Sequence, residues 1–397
     1  MDVVIVGAGT FGASLAWHLA RAGERVTLVD QFEPGDRRAS SGGETRLLRC
    51  SHGADADYTA MARRARALWR ELETESGETL VLEPGLAWFA HGEDGWEAAS
   101  ARTLAAQGIP AERLDPDAAA RLYPSLGTAD LAFVLLEPEA GVVRAQRAVR
   151  ALAARAAAHG ARVLRGRAAA GDPRVVALED GTRLAGDVVV WACGGWHARL
   201  FADLVTIRVT RQELLFLDGG PAWRDVPAWV DYDRAMYGTG DLDGLGVKAA
   251  IDLDGPPLDP DDELADDATT EPAVRAYLGE RFPALVNAPL AEARACRYEL
   301  SPDSHFVAAR HPDHEDVWLL GGGSGHGFKH GPAMAERVAA ALAGGPPLPE
   351  WFALGERRPA RGFRTAGSMQ RGPHPTGHSV QSDVPLGTPY GASTAPD

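Results

Sequence analysis

The chain reads as an α/β protein, a dinucleotide-binding Rossmann domain carrying an inserted antiparallel-sheet domain, on three observations. It opens on a strand, a glycine turn, a helix and a second strand that ends in an acid. A further strand-turn-strand unit, far downstream, runs into small residues. Between and beyond these pieces lie two blocks of strand-like stretches rich in apolar and aromatic side chains.

Each element has a physical warrant. Residues 3–6 form the first strand, Gly7-Ala8-Gly9-Thr10-Phe11-Gly12 the turn, residues 13–22 the helix and residues 25–29 the second strand, closed by Asp30. Gly7 permits the tight turn, Gly9 lets the backbone approach a pyrophosphate, and Gly12 allows close helix packing. The helix N-terminus offers free N–H groups to phosphate, and Asp30 is placed to accept from the adenosine ribose hydroxyls. NAD and FAD share this fingerprint. Further on, a helix over 144–158 precedes a strand at 162–164, then residues 175–182 with their Asp180-Gly181 turn, then a buried strand at 187–190 that leads to Gly194-Gly195. This second unit resembles the latter half of a glutathione-reductase-type FAD domain, which favours FAD over NAD.

Residues 85–89, 131–136, 213–217 and 229–237 read as strands of the inserted sheet. The expected division is therefore an FAD-binding domain from 1–80, 141–207 and 291–362, and a substrate domain from 81–140 and 208–290. A helix before the first insert carries Met61, Ala65, Leu68, Trp69 and Leu72 on one face, the pattern of a core helix. Residues 363–397, rich in Gly, Pro, Ser and Thr, are expected to be a disordered tail.

A net charge of -15 argues against nucleic acid or an anionic membrane as partner. No apolar run is long enough to span a bilayer and no signal peptide precedes the first strand, so a cytoplasmic protein is expected. Cys50, Cys193 and Cys296 are too few for a disulfide framework and match no zinc spacing, and no metal is expected. Of 40 basic side chains only Lys248 and Lys329 are lysines. Arginine thus serves wherever a generic positive charge does, which marks these two for work that needs a compact ammonium.

Three motifs point to one family. They are Ser40-Ser41-Gly42-Gly43-Glu44-Thr45-Arg46-Leu47-Leu48-Arg49, then Cys296-Arg297-Tyr298-Glu299-Leu300-Ser301-Pro302-Asp303, then Gly321-Gly322-Gly323-Ser324-Gly325-His326-Gly327-Phe328-Lys329. Together, in this order, they resemble the monomeric sarcosine oxidase and N-methyltryptophan oxidase family. The resemblance covers residues 1 to about 360 and implies a monomeric FAD-dependent amine oxidase. Such an enzyme oxidises the C–N bond of a secondary amine in an N-methyl or cyclic amino acid to an imine and reduces O2 to hydrogen peroxide. Rival readings are a biosynthetic imine-forming oxidase acting on a larger or carrier-linked amino acid, and a glycine or D-amino-acid oxidase.

The resemblance also assigns roles. Cys296 matches the cysteine that carries the flavin covalently, and Cys50 and Cys193 read as structural. Arg49 and Lys329 match the pair that holds the substrate carboxylate, the alternative for Arg49 being a surface charge or phosphate contact. Arg46, one turn from Arg49 if the segment is helical, matches a flavin-side arginine. Lys248 matches the lysine that promotes reaction with oxygen, and Tyr237 and Tyr298 either line the substrate cavity or belong to the core. Ser40, Ser41, Thr45, Gly323, Ser324, Gly325 and Gly327 fall to the cofactor. The run to Lys329 precedes a helix whose N-terminus would favour negative charge on the reduced ring. His326 is either a proton relay or a locally bonded side chain. Asp252 stands where sarcosine-specific members carry a histidine; it either draws a cationic group of a larger substrate or turns to solvent.

Overall fold

The computed structural model describes residues 1–355 and 357; the expected tail, 363–397, lies outside them. Near-continuous apolar runs such as Asp2–Val6 demand cover on both faces. They receive it in a six-stranded sheet that runs, edge to edge, Val307–His311, His314–Gly321, Val188–Trp191, Asp2–Val6, Arg25–Asp30 and Arg162–Arg165. All pairs are parallel except the first. Helices Thr10–Arg21, Ala145–Ala158 and Gly331–Leu342 pack with Val3, Ile5, Val26 and Leu28 on one face. Val4, Val6 and Val29 pack on the other with Val176, Leu178 and Phe201. The Asp180-Gly181 turn is present, with Gly181 at φ 89° joining the short strands Val176–Ala177 and Arg183–Leu184.

The second layer is an eight-stranded sheet in the order Leu290–Leu300, Arg208–Leu217, Val247–Ile251, Met236–Asp241, Ala228–Asp231, Leu86–Ala90, Phe133–Glu137 and Glu112–Leu114. Its one parallel pair joins Ala228–Asp231 to Leu86–Ala90. Residues 291–300, assigned by sequence to the nucleotide-binding part, pair with Arg208–Leu217 from Arg208↔Leu300 to Leu217↔Leu290. That strand therefore belongs to the antiparallel sheet. Residues 45–48 are likewise a strand, paired with Gly141–Arg144, so Arg46 and Arg49 are not one helical turn apart.

Strand alternation gives the eight-stranded sheet two different faces. Leu215, Leu217, Met236, Val247 and Ala249 pack against Val274 and Leu278 of helix Glu271–Arg281 and against Trp229 and Phe282. Each buried Leu, Val, Met or Phe among them is worth about 1.5–3 kcal/mol. The residues between them point the opposite way. Leu214, Phe216, Ala250 and Cys296 cluster there, with Tyr237 and Tyr298 against them, and Lys248 follows the same alternation.

Helix Ala56–Ser76 starts with the Asp55 carboxylate accepting from Tyr58 N at 2.9 Å and stops at Gly77, φ 73°. Met61, Ala65, Leu68, Trp69 and Leu72 are all buried along it, as their spacing predicts. Trp69 stacks on Phe328 (5.6 Å, 4°) and its Nε1 donates to Lys329 O at 2.9 Å. This helix thus fixes the backbone that carries Lys329.

Candidate active site

Two cavities adjoin at the 40–45 loop and the strand Leu290–Leu300. The first is lined by Gly7, Gly9, Asp30, Ser40 and Ser41. A Cβ at Gly7 would stand 2.2 Å from Ala192 O, and one at Gly12 would stand 1.9 Å from Gly7 O. Glycine is therefore obligatory at the turn and at the helix contact. Ser41 Oγ accepts from Thr10 N at 2.9 Å, tying the loop to the helix N-terminus. Asp30 accepts from Ala8 N (2.6 Å) and Phe32 N (2.8 Å), which aims its carboxyl into the cavity. Burial raises its pKa above the usual value.

The second cavity gathers Thr45, Arg46, Arg49, Tyr237, Lys248 and Cys296, together with Tyr298, Ser324, Gly325 and Lys329. Gly12, Gly323 and Gly327 line neither cavity and serve close packing: Gly327 N donates to Gly323 O at 2.6 Å. Ser324 holds φ 46°, uncommon for a residue with a Cβ. Its Oγ is bonded at Gly322 O and Ser301 N, which sustains that turn.

Both lysines are buried, at 3% exposure each. Lys248 Nζ donates to Thr45 Oγ1 at 2.9 Å and lies 5.7 Å from the Tyr237 ring centre. Burial, and then repulsion from Arg46, lower its pKa to about 7. Lys329 Nζ donates to His326 O at 2.8 Å, and burial followed by the Arg49 charge lowers its pKa well below the ordinary ammonium range. Arg46 donates to Ser40 O at 3.1 Å and to Gly42 O at 2.6 Å, closing the 40–46 loop on itself.

Arg49 donates to Ser51 O and lies over Trp88, 4.8 Å from its ring centre. It is no surface charge. Trp96 packs at a tilt against Trp88, 4.4 Å between ring centres, and stacks on Tyr232 at 4.8 Å, so an aromatic wall flanks the guanidinium. Sequence reasoning missed this wall. Trp88 lies in a strand buried at every position, Trp96 in a helix and Tyr232 in a turn, so no local pattern links them.

Asp252 is the one acid among the described residues of this cavity. Tyr298 OH donates to it at 3.2 Å, and burial raises its pKa against the pull of Tyr298, Arg49 and Lys329. It therefore points inward, toward Arg49 and Lys329. Acids that follow it in the chain are held by arginines, among them Asp266 by Arg37 (2.6 Å) and Asp261 by Arg167 (2.7 Å).

His326 Nε2 lies 3.0 Å from Ser304 O and His52 Nδ1 3.0 Å from Cys50 O, so each nitrogen carries the proton. His52, His326 and His330 bring ligand atoms within 4.8 Å of one another. Burial and then the Lys329 charge lower all three pKa values. A dication there would meet Arg49 and Lys329 without a carboxylate in the group. We read the cluster as a neutral network.

The glycine cradle and the acid at the second strand fit the nucleotide end of a dinucleotide, and the adjoining cavity leaves room for its other end. The family described as FAD dependent oxidoreductase matches residues 2–341. Monomeric sarcosine oxidase of Bacillus sp. (strain B-0618) is 29% identical over 353 residues, 84% of this chain and 90% of its own length. N-methyl-L-tryptophan oxidase of Yersinia pestis (strain Pestoides F) is 27% identical over 372 residues, 88% of this chain and 96% of its own. Among solved structures, L-proline dehydrogenase from P. horikoshii superposes with a TM-score of 0.79 at 22% identity, covering 89% of this chain and 96% of that one, a likeness of fold. No helix of the described residues is long and apolar enough to cross a membrane.

Proposed function

Because the chain belongs to the FAD dependent oxidoreductase family, we propose that it oxidises the C–N bond of a secondary amine in an N-methyl or cyclic amino acid to an imine and reduces O2 to hydrogen peroxide. The observation that carries this reading is the convergence of Arg49, Lys329, Lys248 and Cys296 on one aromatic-walled cavity beside the glycine cradle. FAD, when bound, would supply the acceptor for a hydride equivalent from the carbon beside the amine and the route by which those electrons reach O2. Gly7, Gly9, Asp30, Ser40 and Ser41 hold its nucleotide end, and Thr45, Arg46 and the Gly323–Lys329 turn its ring end.

The chain's own residues do the rest. Arg49, lying over Trp88, and the Lys329 ammonium bind the substrate carboxylate as a charge-assisted pair. Trp88, Trp96 and Tyr232 exclude water from the reacting carbon, and Tyr237 and Tyr298 close the opposite side. Lys248, fixed by Thr45, presents a proton and a positive charge where oxygen gains negative charge. The chain reads as a monomer.

Cys296 is the attachment point for the flavin. Burial raises its thiol pKa, while Arg46 and Lys248 pull it down toward the reactive thiolate. Denaturing gels of the wild type are expected to show a fluorescent protein band, and Cys296→Ala is expected to release all its flavin into the supernatant on acid precipitation. Release from both proteins would place the cofactor in the cradle without a bond.

Asp252 sets the substrate side chain. In a peroxide assay over N-methyl amino acids of neutral, acidic and basic side chain, the basic ones are expected to have the highest kcat/KM. Asp252→Asn should cut that preference by about 30-fold or more, the scale of breaking one buried charge pair. An unchanged ranking would assign Asp252 to Tyr298 alone. Peroxide from none of these amines, but from glycine or a D-amino acid, would reject the secondary-amine reading.

A further inference from the structure

The strand Leu290–Leu300 stands between the two cavities, and its alternation splits one motif between them. Cys296 and Tyr298 line the Lys248 cavity, while Glu299 lines the glycine cradle. Glu299 is 7% exposed. Its Oε1 accepts from Gly323 N at 3.2 Å, and its Oε2, fully buried, has no protein partner among the described residues. Oε2 looks at Gly194, where an added Cβ would lie 3.1 Å from it. Gly194 shares its cavity wall with Gly7, Gly9 and Asp30.

The charged groups around it leave it unneutralised. Arg297, two residues back on the same strand face, donates instead to Pro260 O and Asp262 O. Arg167 and Arg199 are engaged by Asp261 and Asp259. His197 is bonded to Gly194 O and Trp191 O, and burial lowers its pKa. Asp30 and the Cys193 thiol, the remaining titratable groups of that wall, add negative charge if they ionise. An ionised Glu299 would thus share a dry cavity with another acid and with the cofactor's diphosphate.

We infer that Glu299 is a cofactor-positioning residue that stays protonated and donates from Oε2 to an acceptor oxygen of FAD. The arrangement makes chemical sense of a carboxyl in a phosphate cavity: Oε1 receives a backbone N–H, and Oε2 supplies the donor that a carboxylate lacks. Burial, against the Gly323 N–H that lowers it, raises its pKa to about 7, and a diphosphate nearby would push it further up. The sign follows. Below about pH 7 the carboxyl is neutral in both the free and the loaded protein, and affinity for FAD is flat. Above it, loading takes up one proton, so affinity falls about tenfold for each pH unit.

The test uses the full chain with Cys296→Ala, in which FAD can exchange, and follows flavin fluorescence between about pH 6 and 9. The Glu299 protein is expected to lose FAD affinity as pH rises. Glu299→Gln, whose amide accepts from Gly323 and donates in place of the acid, is expected to match it at pH 6 and to stay flat. Glu299→Ala is expected to bind about tenfold more weakly at pH 6, with thermal melting of the FAD-free proteins reporting whether each is folded. Should the alanine protein fail to fold, the acid and amide profiles decide alone. A flat profile for Glu299 with weak binding by the amide would overturn the inference, because that is the behaviour of an ionised carboxylate accepting from sugar hydroxyls. Equal affinity in all three proteins would also overturn it.

Discussion

Lys248→Met is expected to slow reoxidation of the reduced flavin by O2 roughly a hundredfold or more, the loss seen when a preorganised charge-stabilising donor is removed from a dry site. Reduction by substrate should change by only a few-fold, since Lys248 is held by Thr45 and takes no part in the carboxylate clamp. Stopped-flow mixing of the reduced protein with oxygenated buffer separates the two steps. The wild type should show a pH dependence of the same origin. Lys248 has a pKa lowered to about 7, so its charge is present below that pH and lost above it, and reoxidation should slow as pH rises. In the Met variant that slope should vanish. Equal slowing of both half-reactions would make Lys248 a structural residue.

The second large effect is at Arg49. Arg49→Ala removes one partner of a buried charge pair, and kcat/KM should fall by about 2–5 kcal/mol, roughly 30-fold to several thousand-fold. Arg49→Lys keeps the charge but loses both the planar fork and the guanidinium's contact with the Trp88 ring, so it should recover little. Flavin content should stay that of the wild type, because Arg49 lines the Lys248 cavity and not the glycine cradle. Lost flavin with unchanged KM would move Arg49 to the cofactor.

What could be read from the sequence follows from how local each signal is. The first strand, turn, helix and acid are contiguous, and the structure places them as read, because each needs only its neighbours. The core face of helix Ala56–Ser76 was legible for the same reason. The segment at residues 45–48 was not: four residues carry too little periodicity to separate helix from strand, and its pairing with Gly141–Arg144 is long-range. Long-range register also decided the fate of residues 291–300. Lys248 stood out by the scarcity of lysine, and Cys296, Tyr237 and Tyr298 were found through resemblance; the physical reason they meet is that strands of one antiparallel sheet turn the same face to one cavity. Glu299 lies inside a recognised motif, yet sequence could not tell that its neighbours face one cavity and it faces another. Asp252 stood out as a departure, and only the fold turned it inward.

The most direct measurement is an anaerobic titration of the purified protein with sarcosine, N-methyltryptophan, proline, pipecolate, glycine and D-alanine, followed by air. A secondary amine is expected to bleach the flavin absorbance, with colour and peroxide returning together on aeration. No bleaching by any secondary amine, or bleaching by glycine or D-alanine alone, would contradict the secondary-amine reading.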